Sequence, residues 1–404
     1  MTNPRATIAL VVVALAVLAS RSIAQARDSA GVRIVESVAP VWTSASQLRL
    51  DKAPALVLGR ADGPAEQQFG KVSGATRLRD GSVVVADGQS SQLRRFDATG
   101  RLLGTMGRPG EGPGDFRWIS WITSLGTDSV LVWDCRLQRL TAFTGTGRLL
   151  TTVVFERPPM MRDPRDGAAI RVAVDVVGRF ADGSFLTSHR LPFGMSQETG
   201  MHADTLVIGI LRGRGPAQEV GRVLYRDAFV YNFPKVSISG DAPFPRSGAL
   251  AAGAQRFYVS DGQAFAVREW SPTGSLVGVF RIRRPLTPVT PREIAADKAE
   301  RLSSEGPRLR TEMERVNNWL VFPATKPAFD ALQTDRHGRI WAQVAGDSTR
   351  PRQWEVFAPA GAWLGSVTVP GGITVLEIGR DYLLGRAKDQ DGVDTVQLFL
   401  LRGG

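Results

Sequence analysis

The sequence predicts an all-β fold built from six repeated small sheets, with one short helical insertion. Three observations predict it. A unit of strand, Asp, loop, strand, aromatic and turn glycine recurs along the chain; glycine-rich connectors lie between units; and one segment alone carries the capping and charge pattern of a helix. Composition agrees: 404 residues, 43% hydrophobic, with Gly 43 and Pro 24, supply both a large core and abundant turns.

The chain opens with Arg5, an apolar run from Ile8 to Ala19 and the A-x-A site Ala24-Gln25-Ala26. This run is short for a membrane span and has the layout of a secretory signal peptide, so residues 1–26 are expected to be removed and 27–404 to form the folded protein, secreted or periplasmic. No transmembrane span is expected after cleavage. The formal charge of +11 falls to about +9 when Arg5 and Arg21 leave with the signal. The excess is scattered arginine, which with export argues against nucleic acid as a partner. Cys135 is the only cysteine, so no intramolecular disulfide forms and packing alone holds the fold. It has no histidine near it in sequence to activate the thiol and is read as structural.

The repeat is clearest in "GSVVVADGQSSQLRRFDATGRLLG" and "DSVLVWDCRLQRLTAFTGTGRLL". Asp87 and Asp134 end a strand, Phe96 and Phe143 follow nine residues later, and Gly100 and Gly147 come four beyond. Asp261, Trp270 and Gly274 repeat the spacing, and a looser copy places Asp347, Phe357 and Gly361. A β-branched run makes a strand, the Asp accepts backbone N–H groups to close a turn, and the glycine accepts the positive φ that the next hairpin needs. Such a sheet cannot bury both faces alone, so neighbours must stack.

The connector "GRPGEGPGDF" (107–116) has an earlier relative in "LGRADGPAEQQFG", where Gly59, Gly63-Pro64 and Phe69 match Gly107, Gly112-Pro113 and Phe116. A phosphate loop would open a helix or carry Lys-Ser/Thr; here the strand "WISWITSLG" follows, so the stretch is a connector between sheets. Connector and repeat together resemble the NHL-type repeat, and from about Val32 to Leu401 the chain is similar to exported bacterial six-bladed β-propeller proteins that carry it. The resemblance implies an NHL-like six-bladed β-propeller and is nearly silent on activity. The chain departs from the NHL pattern at Ser90-Ser91-Gln92 and Leu137-Gln138-Arg139, where Asn-His-Arg usually stands.

Inner strands are expected to start near Ser82, Val130, Ser184, Arg256, Arg339 and Tyr382, with "VRIVES" (32–37) completing the last sheet beside "VDTVQLFLL". The segment at about 290–319 reads as the helical insertion: Thr290 caps it, Pro291 stands at N1, Glu293 at N3, and Gly306-Pro307 splits it in two. Its apolar positions, Ile294, Leu302, Leu309, Met313 and Val316, make a narrow stripe suited to lying on a propeller face.

No nucleophile elbow, H-E-x-x-H helix or S-x-x-K is present. His189, His202 and His337 are the only histidines and asparagine is scarce, so no metal site is assigned. "DQDGVD" (389–394) lacks the EF-hand pattern and reads as a hairpin turn around Asp391-Gly392. Arg94, Arg139 and Arg268 follow the strand-end aspartates and Arg108 flanks the connector; these four are the ligand-binding candidates, and pairing with those aspartates is the competing role. The expected function is a secreted or periplasmic binding or scaffold protein for a peptide, glycan or protein, with no recognisable catalytic motif and no cofactor. The alternative is a metal-dependent hydrolase or lyase of the lactonase or amidating-lyase propeller type, which would bring calcium or zinc.

Overall fold

The computed structural model describes residues 24–403, apart from 127, 158–159, 163–168, 171, 191–197 and 305–306. The expected signal peptide up to residue 23, and Gly306, lie outside the described residues. The chain is mostly β. Its described residues form six sheets of four or more strands, a two-stranded ribbon (Met161–Arg162 with Ala169–Ile170) and two helices.

Sheets one to six follow one another along the chain as antiparallel meanders at residues 72–106, 119–154, 175–241, 249–282, 329–369 and 374–402. Their first strands are Val72–Arg77, Ile119–Leu125, Asp175–Arg179, Ala249–Ala252, Phe329–Thr334 and Thr374–Ile378. Each first strand packs against the first strand of the next sheet, and that of sheet six packs against that of sheet one. Two of these approaches depend on glycine: a Cβ on Gly74 would meet Ile122 at 2.6 Å, and one on Gly178 would meet Ala252 at 2.6 Å. The second strand of sheet one, Val83–Asp87, is buried on both faces, which explains its unbroken apolar run.

The core lies between sheets. Phe116, Ile122 and Val130 of sheet two and its connector pack with Val84 and Leu93 of sheet one. Trp341 and Val356 of sheet five meet Val375 and Phe399 of sheet six, and Leu384 and Val396 of sheet six meet Val83 and Phe96 of sheet one. Further clusters join two to three, three to four and four to five.

Two expectations need correction. The strands starting near Ser82, Val130, Ser184, Arg256, Arg339 and Tyr382 are second in their sheets; the strand before each is the one that meets its neighbours. Those inner strands are interrupted by a β-bulge in five sheets, which weakens their period-two pattern. Val32–Ser37 does not complete the last sheet: it pairs in parallel with Leu276–Ile282 of sheet four. The N-terminal segment then runs on as an outer belt. Val41 and Trp42 N–H groups donate to Trp363 and Leu364 of sheet five (3.0 and 2.7 Å), and Arg49–Leu50 and Leu56–Leu58 pair with Asp394–Arg402 of sheet six.

Helices α1 (Pro291–Ser304) and α2 (Arg310–Trp319) follow sheet four. At the start of α1 the Thr290 N–H donates to the Glu293 carboxylate (3.0 Å) while the Glu293 N–H donates to the Thr290 hydroxyl oxygen (3.3 Å), a reciprocal capping box. Hydrogen bonds from Lys326 and then Thr290 hold the Glu293 carboxyl down to about 2. Met313 and Val316 of α2 pack with Phe229, near the end of the long sheet-three strand Gln218–Asn232, and with Ile238 of its short partner Ser237–Asp241, so these helices have their own small core.

Candidate functional site

The site is built by the strand-end aspartates. Asp87 accepts from the N–H of Lys71 (3.2 Å) and Gln89 (3.1 Å) and from the Ser90 hydroxyl (2.8 Å). Asp134 accepts four backbone N–H bonds, from Arg117 (2.6 Å), Trp118 (3.1 Å), Arg136 (3.0 Å) and Leu137 (2.8 Å). One carboxylate therefore closes the turn after its own strand and fixes the backbone where the first strand of the sheet begins. The turns that depart from the NHL pattern each need one left-handed residue, Ser91 (φ 54°) and Gln138 (φ 49°). The looser copy differs: Val344 stands opposite Phe329, where Asp87 stands opposite Val72, and Asp347 lies further on, bonding Thr349. That unit keeps only the aromatic and glycine half of the motif, with Phe357 buried and Gly361 at φ 94°.

Both connectors use one device. Phe69 packs edge-on against Phe96 (6.0 Å between centroids), and Phe116 packs against Phe143 (6.1 Å). Gly107 has a positive φ of 74°, and a Cβ there would strike the Phe116 ring at 2.4 Å. The repeat glycines Gly100, Gly147 and Gly274 all have positive φ, and Trp270 stacks on Phe257.

The four candidate arginines are placed around these connectors and turns. Arg94 donates to Asp87 (3.2 Å) and to the carbonyls of Ala65, Glu66 and Gln68. Arg139 is buried and donates to the carbonyls of Glu111 and Asp115. Arg268 pairs with Asp261 at 2.7 Å and Arg108 with Asp115 at 3.0 Å. They do not converge on one cavity.

A different set does. Lys71 and Trp118 stand at equivalent positions, each just before the residue that faces the strand-end aspartate, and they meet across the junction of sheets one and two. The Lys71 ammonium sits 4.7 Å from the centre of the Trp118 ring, a contact worth about 0.5–1 kcal/mol at an exposed site. Trp118 is 45% exposed. Together with Gln89, Arg386, Lys388 and Asp394 they line a cavity of about 600 Å³, with Gly70, Gly88 and Gly372 leaving backbone bare at its wall. Arg386 donates to the Val72 carbonyl (2.8 Å) and Asp394 accepts from the Val72 N–H (2.8 Å), so sheet six also clamps the start of sheet one. Sequence reasoning passed over these residues, although two of the six lysines of the chain line this one cavity. Their signal is positional and becomes visible only once the bulged first strands are aligned.

The opposite ends of the first strands are tied across. Arg336, in the turn after Phe329–Thr334, donates to Ser124 of sheet two (2.6 Å) and to Glu377 of sheet six (3.2 Å). Glu377 also accepts from Thr76 of sheet one and from the Tyr382 hydroxyl, and burial followed by the Glu377 charge pushes the Tyr382 phenol up. A second groove of about 670 Å³ lies between the sheet-three hairpin and the segment after α2, with Met201, Phe244 and Val321 at its surface. His189 and His202 are on sheet three and His337 is in the turn that carries Arg336. Among the described residues no three His, Cys, Asp or Glu side chains gather closely enough to hold a metal ion. Residues 389–394 form a hairpin turn, with Gly392 at φ 80° and its N–H bonded to the Asp389 carbonyl.

No family model and no curated protein matches the chain. Among solved structures it is similar to a calcium-binding protein, regucalcin, from Agrobacterium tumefaciens (13% identity, 88% of this chain, 96% of that one, TM-score 0.39). It is similar also to virginiamycin B lyase from Staphylococcus aureus (10%, 88% and 99%, 0.39) and to the PQQ-bound aldose sugar dehydrogenase from Streptomyces coelicolor (16%, 87% and 100%, 0.39). Among the described residues no helix is long and apolar enough to cross a membrane.

Proposed function

We propose that the six sheets are the blades of one closed six-bladed, NHL-like β-propeller, and that the protein is an exported binding protein holding a polar ligand, a glycan or a peptide, in the mouth of the ring. Closure is supported by the cyclic order of sheet contacts and by the belt that crosses sheets four, five and six. Export is supported by the N-terminal apolar run and its A-x-A site. The observation that carries the binding role is the cavity where Lys71 and Trp118 are presented side by side, each with its backbone fixed by a buried aspartate. A ring of loops held by rigid strands and presenting an exposed aromatic and several cations is suited to capture. The four connector arginines serve in this reading to hold the loops in place.

The test is retention of the purified protein on glycan and peptide arrays, in parallel with Trp118→Ala. The expected result is one ligand class retained by the natural sequence and lost by the variant, since truncating an exposed ring leaves the core intact. Equal retention by both would contradict the assignment of the mouth. The same reading expects EDTA, calcium and zinc to leave the melting temperature unchanged; a clear rise with either ion would move the assignment to the metal-dependent hydrolase or lyase class.

A further inference from the structure

We infer that the ligand of this cavity is an acidic oligosaccharide, with a uronate carboxylate lying between Lys71 and Arg386 and a sugar ring against Trp118. The inference rests on the mouth being the ligand site. Charge carries it. Among the described residues neither Lys71 nor Arg386 has a carboxylate within ion-pairing distance, whereas Arg94, Arg108, Arg117 and Arg268 are all paired with Asp or Glu. Among the described residues Asp394 is the only carboxylate lining the cavity; it is buried, one oxygen accepts the Val72 N–H, and the other is 3.8 Å from Lys388. Three cations thus face one committed anion, and the cavity attracts a negative group.

Shape decides between a sugar and a peptide. Among the described residues the walls carry no apolar side chain besides Trp118 and Ala387 that would seat a peptide residue, and the glycines leave backbone at the floor. Gln89 lies over Gly70, where a Cβ would meet its amide oxygen at 2.0 Å, so its planar amide is held at the wall within reach of hydroxyl groups. A flat aromatic face, a planar amide and cations are the contacts a carboxylated sugar uses, and a volume of about 600 Å³ lies within the range of small-molecule sites.

The experiment is titration calorimetry of the full protein with α-1,4-digalacturonate, with its neutral counterpart α-1,4-galactobiose and with the dipeptide Glu-Glu. Lys71→Met, Trp118→Ala and the distant control Lys235→Met are measured alongside. Lys71 and Lys235 are exposed, and among the described residues the Lys71 ammonium contacts the Trp118 ring and forms no ion pair, so these variants are expected to fold; melting curves verify it. Digalacturonate is expected to bind, with affinity falling roughly tenfold or more in Lys71→Met and Trp118→Ala, and from about 50 to about 500 mM salt. Lys235→Met should leave it unchanged, and galactobiose should bind at least about tenfold more weakly. Galactobiose binding as tightly as digalacturonate, or full affinity in Lys71→Met, overturns the acidic class; if that binding is still lost in Trp118→Ala, the mouth itself stands. Preference for Glu-Glu overturns the sugar in favour of an acidic peptide. Binding of none of the three overturns the inference, and the array comparison decides the mouth separately.

Discussion

Single residues in this protein do two tasks at once, and Asp134 shows it most clearly. It is fully buried, and its two oxygens serve four backbone N–H groups on two segments. Asp134→Ala removes the shared acceptor of four part-buried N–H groups and should cost roughly 3–5 kcal/mol in urea unfolding. A loss under about 1 kcal/mol would mean that the connector holds Trp118 without it. The aspartate was legible in the sequence as a turn closer, since its spacing to the aromatic and glycine repeats. Its grip on the start of the first strand was not, because that partner lies 16 or 17 residues earlier in another turn. Cys135, beside it, is buried, and burial followed by the Asp175 charge pushes its thiol up to about 12. It should resist alkylation at about pH 8 in the folded protein and react at the rate of global unfolding. Rapid labelling of the native state would contradict that burial.

Among the elements, the connectors, the second strands and the one first strand that follows a glycine-rich connector, Ile119–Leu125, were readable from sequence, and the other first strands were not. Second strands such as Val83–Asp87 are apolar on both faces, and several end in an Asp whose spacing to the following aromatic and glycine repeats; first strands are bulged and mixed in character, so their pattern is weak. The helical insertion was readable from its caps, and its stripe residues Met313 and Val316 are buried against sheet three. The first turn of α1 is held by Glu293, whose carboxyl is held down to about 2, below its ordinary value of 4.5. A depressed carboxyl stabilises the folded form fully above its unfolded value and loses that contribution as pH falls through the folded one. Amide exchange in Pro291–Ser304 should therefore accelerate between about pH 4.5 and 2, after correction for intrinsic exchange rates, and do so before the sheets exchange. Glu293→Gln should show faster exchange already at neutral pH. An α1 that exchanges with the sheets at every pH would place its stability elsewhere.

For the molecule as a whole, the repeat announces six units, but how the chain ends meet could not be read from it. A strand such as Val32–Ser37 looks the same in sequence whether it pairs antiparallel with the last sheet or in parallel with the fourth. The choice is made by the belt, whose later strands Arg49–Leu50 and Leu56–Leu58 take the place at sheet six. The site follows from the same assembly: Lys71, Trp118 and Arg386 come from three different sheets and share a cavity only if sheet six stands beside sheet one and sheet one beside sheet two. Closure is therefore the central claim, and the contact from Arg336 to Ser124, between sheets five and two and 212 residues apart, reports on it most directly. Nitroxide labels on Ser124→Cys and Arg336→Cys, in a Cys135→Ala background, place two spins at that junction. A closed ring predicts strong dipolar broadening of the doubly labelled spectrum relative to the sum of the single labels. A doubly labelled spectrum equal to that sum would mean that sheets two and five do not face each other, and it would contradict the ring and the mouth together.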